Sequence, residues 1–265
     1  MNRFNKILHM DIFSVLYILL PFSVAACVAL KKDTFSNSDG FETQKWLFND
    51  VLFILTGLAC IQFICLLAFK IRIISAHELG IYGTIIFSFM VGGVTYFFVI
   101  KQHGMVCLLS MIYTGKIITN IFLPVILFLS YLTVVFLYAY LTHNNQIVLA
   151  RTELLQHLQI FKGSILESVV YVVSLVLIAP TIEEVIYRGI FFPPFERKLG
   201  SRGAICVISF LWALTHLNIN AIMSIFFIGL ILGYLYKQTK SLLPGIIFHS
   251  LINLFSILIY VFEYY

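Results

Sequence analysis

Three short motifs of polar side chains interrupt the strongly apolar C-terminal part of the chain. They are Glu183-Glu184-x-x-x-Arg188, Trp212-x-x-x-His216 and His249-x-x-x-Asn253. Side chains four residues apart lie on the same face of a helix, so each motif places its polar groups on one side of its helix. Glu184 precedes Arg188 by four residues, which is the favourable order for a helical ion pair. The spacing therefore predicts three helix faces that carry groups able to move or hold a proton.

These residue types permit a narrow range of chemistry. A glutamate can take a proton from water, and a nearby imidazole can assist it or deliver a proton to a leaving amine. An amide and an imidazole can both donate to a developing oxyanion, which makes His249 and Asn253 candidates for an oxyanion site. The set would then hydrolyse an amide bond without a serine or cysteine nucleophile. Glutamate and histidine could instead bind a divalent metal, zinc first, with Glu183, His216 and His249 as the ligands.

The motifs of other membrane proteases are missing from the sequence. The chain has no HExxH sequence, no GxSG within an apolar run and no aspartate deep within an apolar run. An HExxH helix is the usual zinc-binding signature of metalloproteases. These absences argue against the common zinc, rhomboid-type serine and aspartyl intramembrane proteases.

The composition indicates which solvent surrounds these motifs. Hydrophobic residues make up 61% of the chain and charged residues 11%, where soluble domains average roughly one half and one quarter. A soluble fold of this length could not bury so much apolar surface, so lipid must surround most of it. The net charge of +5 comes from basic residues in short connectors, which suits anionic lipid headgroups and gives no sign of a nucleic-acid-binding face. The sequence predicts an all-α polytopic membrane protein.

Apolar runs close to the roughly 20 residues that a helix needs to cross the hydrocarbon occur along the whole chain. The runs cover residues 12–30, 51–69, 80–100, 164–179, 203–217, 221–236 and 243–262. Residues 105–141 form either a short interfacial piece and one span over 117–141, or two spans joined near Gly115-Lys116. We therefore expect about eight transmembrane helices, with the active site among the last four.

The chain divides into two parts near residue 163. Residues 147–162 carry apolar and charged side chains at the spacing of an amphipathic helix lying on the membrane surface. We expect residues 1–163 to form the N-terminal transmembrane helices together with this surface helix. Residues 164–265 would then form the core that holds the three motifs.

Basic residues orient the second part. Two connectors between the predicted spans of this part, 189–202 and 237–242, hold five basic residues: Arg197, Lys198, Arg202, Lys237 and Lys240. The turn at 218–220 and the C-terminal tail hold no lysine or arginine, so the positive-inside rule places the connectors 189–202 and 237–242 in the cytoplasm.

The three motifs lie at a similar predicted depth. Counted from the connectors at 1.5 Å per residue, Glu184, His216 and His249 all lie about 14–21 Å into the membrane. An ionisable group at that depth costs at least a few kcal/mol unless it faces a cavity or a partner. Polar side chains can also simply hold helices together, but so many at one level favour a functional site.

The three motifs together resemble the CPBP family of intramembrane proteases, which includes the type II CAAX prenyl endopeptidases and the bacterial Abi proteins. The run from Leu232 through Pro244-Gly245 also resembles the stretch before the last motif of that family. The resemblance implies that Glu183 is the water-activating base and Glu184 the second acid, braced by Arg188. It implies that His216 assists the water and that His249 with Asn253 forms the oxyanion site. The family usually has phenylalanine where this chain has Trp212, which keeps an aromatic side chain.

The resemblance implies an intramembrane endopeptidase that is glutamate- or metal-dependent and cleaves a membrane-associated peptide or protein. Mid-membrane glutamate and histidine also mark proton-coupled transporters, and a non-catalytic peptide-binding or immunity protein could use the same pocket. The expected partners are membrane lipid and the substrate, with no nucleic acid. The expected location is a bacterial cell membrane, as a multi-pass integral protein.

Overall fold

The computed structural model describes residues 48–70, 93, 112, 117–142, 164–216 and 221–264. Helices account for nearly all of these residues, and the described part of the chain contains no strand. This confirms the all-α class. Four helical stretches are long and apolar enough to cross a membrane: Ile117–Leu141, Ile165–Thr215, Ile222–Thr239 and Leu243–Phe262. The runs 12–30 and 80–100 and the surface helix 147–162 lie outside the described residues apart from Gly93, so the count of eight stays a prediction.

The described helices are numbered along the chain. They are α1 (Phe48–Lys70), α2 (Ile117–Thr142), α3 (Ile165–Val173), a π-helical segment π1 (Ser174–Ile178), α4 (Ala179–Glu184), a second π-helical segment π2 (Val185–Phe191), α5 (Phe192–Thr215), α6 (Ile222–Thr239) and α7 (Leu243–Tyr264). Helix α2 contains the span predicted over 117–141. The residues that would decide between the two arrangements of 105–141 lie outside the described part, except Ile112.

A capping box starts the C-terminal core. The Ser164 hydroxyl accepts from the Glu167 N–H at 3.2 Å, and the Ser164 N–H donates to the Glu167 carboxylate at 2.9 Å. This reciprocal pair satisfies two of the N–H groups that the first turn of a helix leaves without partners. It therefore fixes the start of α3 at the residue where the apolar run begins.

Gly200 turns the chain within the long stretch from Ile165 to Thr215. A straight helix of 51 residues would be about 76 Å long, at 1.5 Å per residue, against a hydrocarbon core of about 30 Å. Gly200 has φ 70° and ψ 169°, a left-handed conformation that glycine adopts without the steric cost of a Cβ. The turn is therefore at the glycine, and the predicted connector 189–202 is helical up to that point. Pro193 does not stop the helix because it lies in the first turn of α5, where its missing N–H costs nothing.

A polar cluster joins this turn to the end of α6. The Glu196 carboxylate accepts from the Ser201 hydroxyl at 2.6 Å and pairs with Lys237 at 3.3 Å and Lys240 at 3.6 Å. Lys240 ends α6 in a left-handed conformation with φ 51°. The two basic connectors thus lie at the same end of the bundle. The orientation argument needs them on one side of the membrane, and which side that is remains a prediction.

Helices α5 and α6 pack closely at two glycines. Gly229 lies against Ser209, where a Cβ would approach the Ser209 Cβ to 2.8 Å, and Gly233 lies against Ile205, where it would approach to 3.1 Å. The spacing Gly229-x-x-x-Gly233 is the small-residue pattern that lets two membrane helices approach closely. This close approach brings the backbone of α6 near the polar side chains of π2.

Helix α7 completes the core by packing against α2, α6, α4 and π1. Phe248 is fully buried and meets Phe128 and Tyr131 of α2 in edge-to-face contacts with centroids 6.5 and 6.4 Å apart. The neighbouring residue His249 is therefore held on the face of α7 that looks toward α4.

We expect Gly229→Ala to destabilise the protein by about 1–3 kcal/mol, because an added methyl group would overpack the contact with the Ser209 backbone. Gly57→Ala in α1 is the matched control, since a Cβ there has no atom within 4 Å in the described part of the chain. That control should be neutral or slightly stabilising, as alanine is the better helix former. Thermal unfolding in detergent measures both. Equal melting temperatures for the two variants would contradict close packing at Gly229.

Candidate active site

Glu184 and Arg188 form a fully buried ion pair. The Arg188 Nη1 donates to Glu184 Oε1 at 2.8 Å, and the two side chains are 0% and 1% exposed. Arg188 Nη2 donates to the Gly229 carbonyl of α6 at 3.2 Å. The ion pair expected from the i,i+4 spacing is thus present, and α6 supplies a second acceptor for the guanidinium.

Helix α7 encloses the Glu184 carboxylate from the other side. His249 Nδ1 lies 3.7 Å from Glu184 Oε1, and the His249 side chain is 3% exposed. Gly245, one turn earlier, lies so close to Glu184 that a Cβ there would come within 2.6 Å of Oε2. A side chain at 245 would therefore displace the carboxylate from its place beside Arg188 and His249.

Glu183 has a different environment from its neighbour. One of its carboxylate oxygens, Oε2, accepts from the Trp212 indole N–H at 2.6 Å. Glu183 is half-buried, whereas Trp212 is completely buried. Of the two adjacent glutamates, Glu184 is sealed within the bundle and Glu183 retains access to the outside of the described core.

His216 ends α5 and is exposed. Its Nδ1 lies 2.8 Å from the carbonyl oxygen of Trp212. A carbonyl can only accept a hydrogen bond, so Nδ1 must carry the hydrogen. In the neutral ring Nε2 then has a free lone pair, which makes it the nitrogen that can accept a proton.

The Trp212 ring links the three motifs. It makes edge-to-face contacts with the His216 ring at 4.8 Å and the His249 ring at 5.2 Å between centroids. The Arg188 guanidinium carbon lies 5.2 Å from the centroid of the same ring. The first, second and third motifs therefore meet around one indole.

Asn253 is bonded differently from the other site residues. Its Nδ2 donates to the Leu175 carbonyl of π1 at 2.9 Å. A side-chain amide nitrogen carries two hydrogens, so one donor remains after this bond. The structure thus connects Glu183, Glu184, Arg188, His216 and His249 through Trp212 and Glu184, and it attaches Asn253 to the backbone of the facing helix.

The residues do not form a preformed metal site. No group of three His, Cys, Asp or Glu side chains in the described ranges converges closely enough to hold a metal ion. Glu183, His216 and His249, the ligands expected for zinc, are instead engaged with the Trp212 indole N–H, the Trp212 carbonyl and Glu184 respectively.

Several residues of this network were not singled out from the sequence. Tyr187 and Thr215 share a hydrogen bond of 2.8 Å, and the Thr215 hydroxyl donates to the Trp212 carbonyl at 2.8 Å. The Gly229 carbonyl holds Arg188. The Gly-x-x-x-Gly spacing at 229 and 233 was the signal that could have identified Gly229, because it marks a close helix contact. No sequence signal identifies Tyr187 and Thr215, which are ordinary residues of an apolar helix.

Comparison with known proteins identifies the segment that holds these residues. Residues 165–255, about a third of the chain, match the family model described as type II CAAX prenyl endopeptidase Rce1-like. No curated protein and no solved structure matches the chain. The matched segment contains all three motifs, and it confirms the resemblance by supporting membership of the CPBP/CAAX protease family. Together with the four helical stretches that could span a membrane, the family match supports the general conclusion that this is an integral membrane protein and an intramembrane protease of the CAAX type.

We expect Arg188→Ala to lower the stability of the protein by about 3–5 kcal/mol, because it would leave the buried Glu184 carboxylate without its ion-pair partner. Glu183→Gln should have a much smaller effect, since Glu183 is half-buried and glutamine can still accept from the Trp212 indole. Yield and thermal unfolding in detergent provide the comparison. Normal yield and an unchanged melting temperature for Arg188→Ala would show that the arginine does not brace the acids.

Proposed function

We propose that the protein is an intramembrane endopeptidase that hydrolyses a peptide bond of a membrane-associated peptide or protein with water activated by Glu183. The observation that carries this proposal is the different environment of the two adjacent glutamates. Glu184 is completely buried and paired with Arg188, while Glu183 is half-buried with one oxygen bonded to Trp212. A general base must reach both water and substrate, and Glu183 is the glutamate with such access.

Glu184 has a supporting role in this proposal. It holds Arg188 and lies 3.7 Å from His249, so it joins the motif on α4 to the motif on α7. Its burial keeps it away from water, and its position fixes the His249 ring. The second acid therefore orders the site instead of reacting with water.

The reaction follows from the remaining groups. Glu183 takes a proton from water while the water oxygen bonds to the scissile carbonyl carbon, and the carbonyl oxygen becomes an oxyanion. The carbon–nitrogen bond then breaks, and the amine leaves with the proton that Glu183 took from water, which Glu183 passes to it directly or through His216. His216 can relay the proton because Nε2, the nitrogen without a hydrogen in the neutral ring, can accept it from Glu183 before giving it to the amine, and the side chain is exposed.

His249 and Asn253 stabilise the oxyanion. His249 is held beside the buried Glu184, with Nδ1 3.7 Å from Oε1. Asn253 keeps one amide hydrogen after its bond to Leu175. His249 and Asn253 lie four residues apart on one face of α7, as expected of two donors that are positioned before the oxyanion forms.

A metal is not needed for these steps. A zinc ion bound by Glu183, His216 and His249 would polarise the carbonyl or the water, but the arrangement of those three side chains does not fit a metal site. We therefore propose the glutamate-dependent mechanism. The family match favours neither proton-coupled transport nor peptide binding without turnover.

The position of the site on the helices indicates the class of substrate. The site lies on helices long and apolar enough to span the membrane, so the scissile bond must reach it from within or beside the lipid. We propose a peptide or membrane protein cleaved in the cytoplasmic half of the bilayer, where the basic connectors would lie. Comparison of membrane-peptide profiles from cells that carry the wild type and Glu183→Gln would identify it.

We expect Glu183→Gln to lower turnover by about 10²–10⁴-fold, because an amide keeps the volume of the side chain but cannot take a proton from water. Glu167→Gln is the matched control, since glutamine can still complete the capping box of α3. Cleavage of the peptide identified by the profile comparison is the measurement. Retention of more than about a tenth of wild-type turnover would remove Glu183 from the role of base.

We expect Asn253→Ala to lower kcat by about 10²–10³-fold with little change in KM, the effect of losing one oxyanion donor. Asn253→Asp should be no better, because a carboxylate would repel the developing charge. Adding His249→Ala should cost less than the sum of the two single losses if both donors serve one site. A large increase in KM with kcat intact would assign Asn253 to substrate anchoring instead.

A further inference from the structure

Trp212 makes a contact that a purely apolar aromatic residue could not make. Its indole N–H donates to Glu183 Oε2 at 2.6 Å, a short hydrogen bond to a carboxylate. Phenylalanine could fill the same buried position but has no donor. Trp212→Phe removes the donor together with part of the buried ring, so the hydrogen bond also needs a readout that leaves Trp212 in place.

The surrounding core fixes the position of the Trp212 indole ring. Trp212 is 0% exposed, and its ring is surrounded by the His216 ring, the His249 ring and the Arg188 guanidinium. A ring in such surroundings has one orientation. The N–H direction is thus set by the core, and Glu183 must adopt the rotamer that meets it.

The backbone of the same residue holds the other proton-transfer group. The Trp212 carbonyl accepts from His216 Nδ1 at 2.8 Å and from the Thr215 hydroxyl at 2.8 Å. One residue therefore binds Glu183 through its side chain and His216 through its carbonyl. Trp212 therefore contacts both the acid and the imidazole, and it contributes directly to the separation between them.

We infer that Trp212 is a positioning residue that orients the Glu183 carboxylate through its indole N–H, with Oε2 held and Oε1 left to receive the proton from water. This inference rests on the proposed function, because it assumes that Glu183 is the base. It adds a residue that touches neither substrate nor water and acts only through Glu183 and His216.

The kinetic test is Trp212→Phe with the substrate that the profile comparison identifies. Loss of a hydrogen bond to a charged group should lower kcat by about 10–100-fold with KM within about twofold of wild type. The control is Trp46→Phe, which replaces the other tryptophan of the chain and should leave both constants unchanged. Unchanged kcat for Trp212→Phe would overturn the inference, and so would a raised KM with kcat intact, which would place the indole against the substrate.

The spectroscopic test leaves Trp212 in place and needs no substrate. In a Trp46→Phe background Trp212 is the single tryptophan, and its resonance Raman spectrum reports the strength of the indole N–H hydrogen bond. Glu183→Gln exchanges a charged acceptor for a neutral one, so the N–H band should shift to that of a weaker bond. Glu167→Gln should leave the band unchanged. A spectrum unaffected by Glu183→Gln would overturn the inference even if Trp212→Phe does not fold.

The two tests separate this inference from the proposed function. If Glu183→Gln keeps its turnover, the proposed function fails, and the Raman shift still reports whether Trp212 holds the carboxylate. If Glu183→Gln is inactive while Trp212→Phe has wild-type kcat, the proposed function stands and the positioning role is wrong.

Discussion

The buried ion pair of Glu184 and Arg188 is the constraint to which the rest of the core conforms. Two charges without access to water are tolerated only when each has good partners, because the desolvation cost is large. The guanidinium donates from Nη1 to the Glu184 carboxylate and from Nη2 to the Gly229 carbonyl. The carbonyl is close enough because α5 and α6 approach each other at glycines. The glycines of α6 therefore allow the close approach that gives Arg188 of π2 its second acceptor.

The same constraint explains why two adjacent glutamates differ. Arg188 bonds to Glu184 and leaves Glu183 to the indole of Trp212. Consecutive residues of a helix point in directions about 100° apart, so one carboxylate turns into the bundle when the other turns toward its rim. The partial exposure of Glu183 thus goes together with the pairing of Arg188 with Glu184.

Much of this site could be read from the sequence, and the reasons for the rest are physical. The i,i+4 spacing of Glu184 and Arg188 predicts their contact because both residues belong to one helix. Which residues of two different helices face each other depends on how the helices are shifted and rotated relative to one another. The spacing of residues within one helix does not encode this arrangement. The hydrogen bond from Trp212 to Glu183 is an example, since it joins residues of different helices. The bond from Asn253 to the Leu175 carbonyl is another, because nothing in the sequence marks which backbone carbonyl a side chain of another helix will reach. For the fold, the apolar runs predicted the helices, but the turn fell at Gly200 within the predicted connector because left-handed φ decides where a helix changes direction.

The two π-helical segments flank α4, which is only six residues long and carries both glutamates. A π-helical segment has a wider turn than an α-helix, so the chain leaves it with its side chains rotated about the axis relative to an uninterrupted helix. In an uninterrupted α-helix each side chain points about 100° away from the one before it. The face that is exposed at the start of the helix would then determine the direction of both glutamates. The interruptions before and after α4 therefore offset the two glutamates about the axis relative to the exposed apolar side chains of α3. Because of this offset, one stretch of chain can carry exposed apolar side chains in α3 and still turn Glu184 into the bundle.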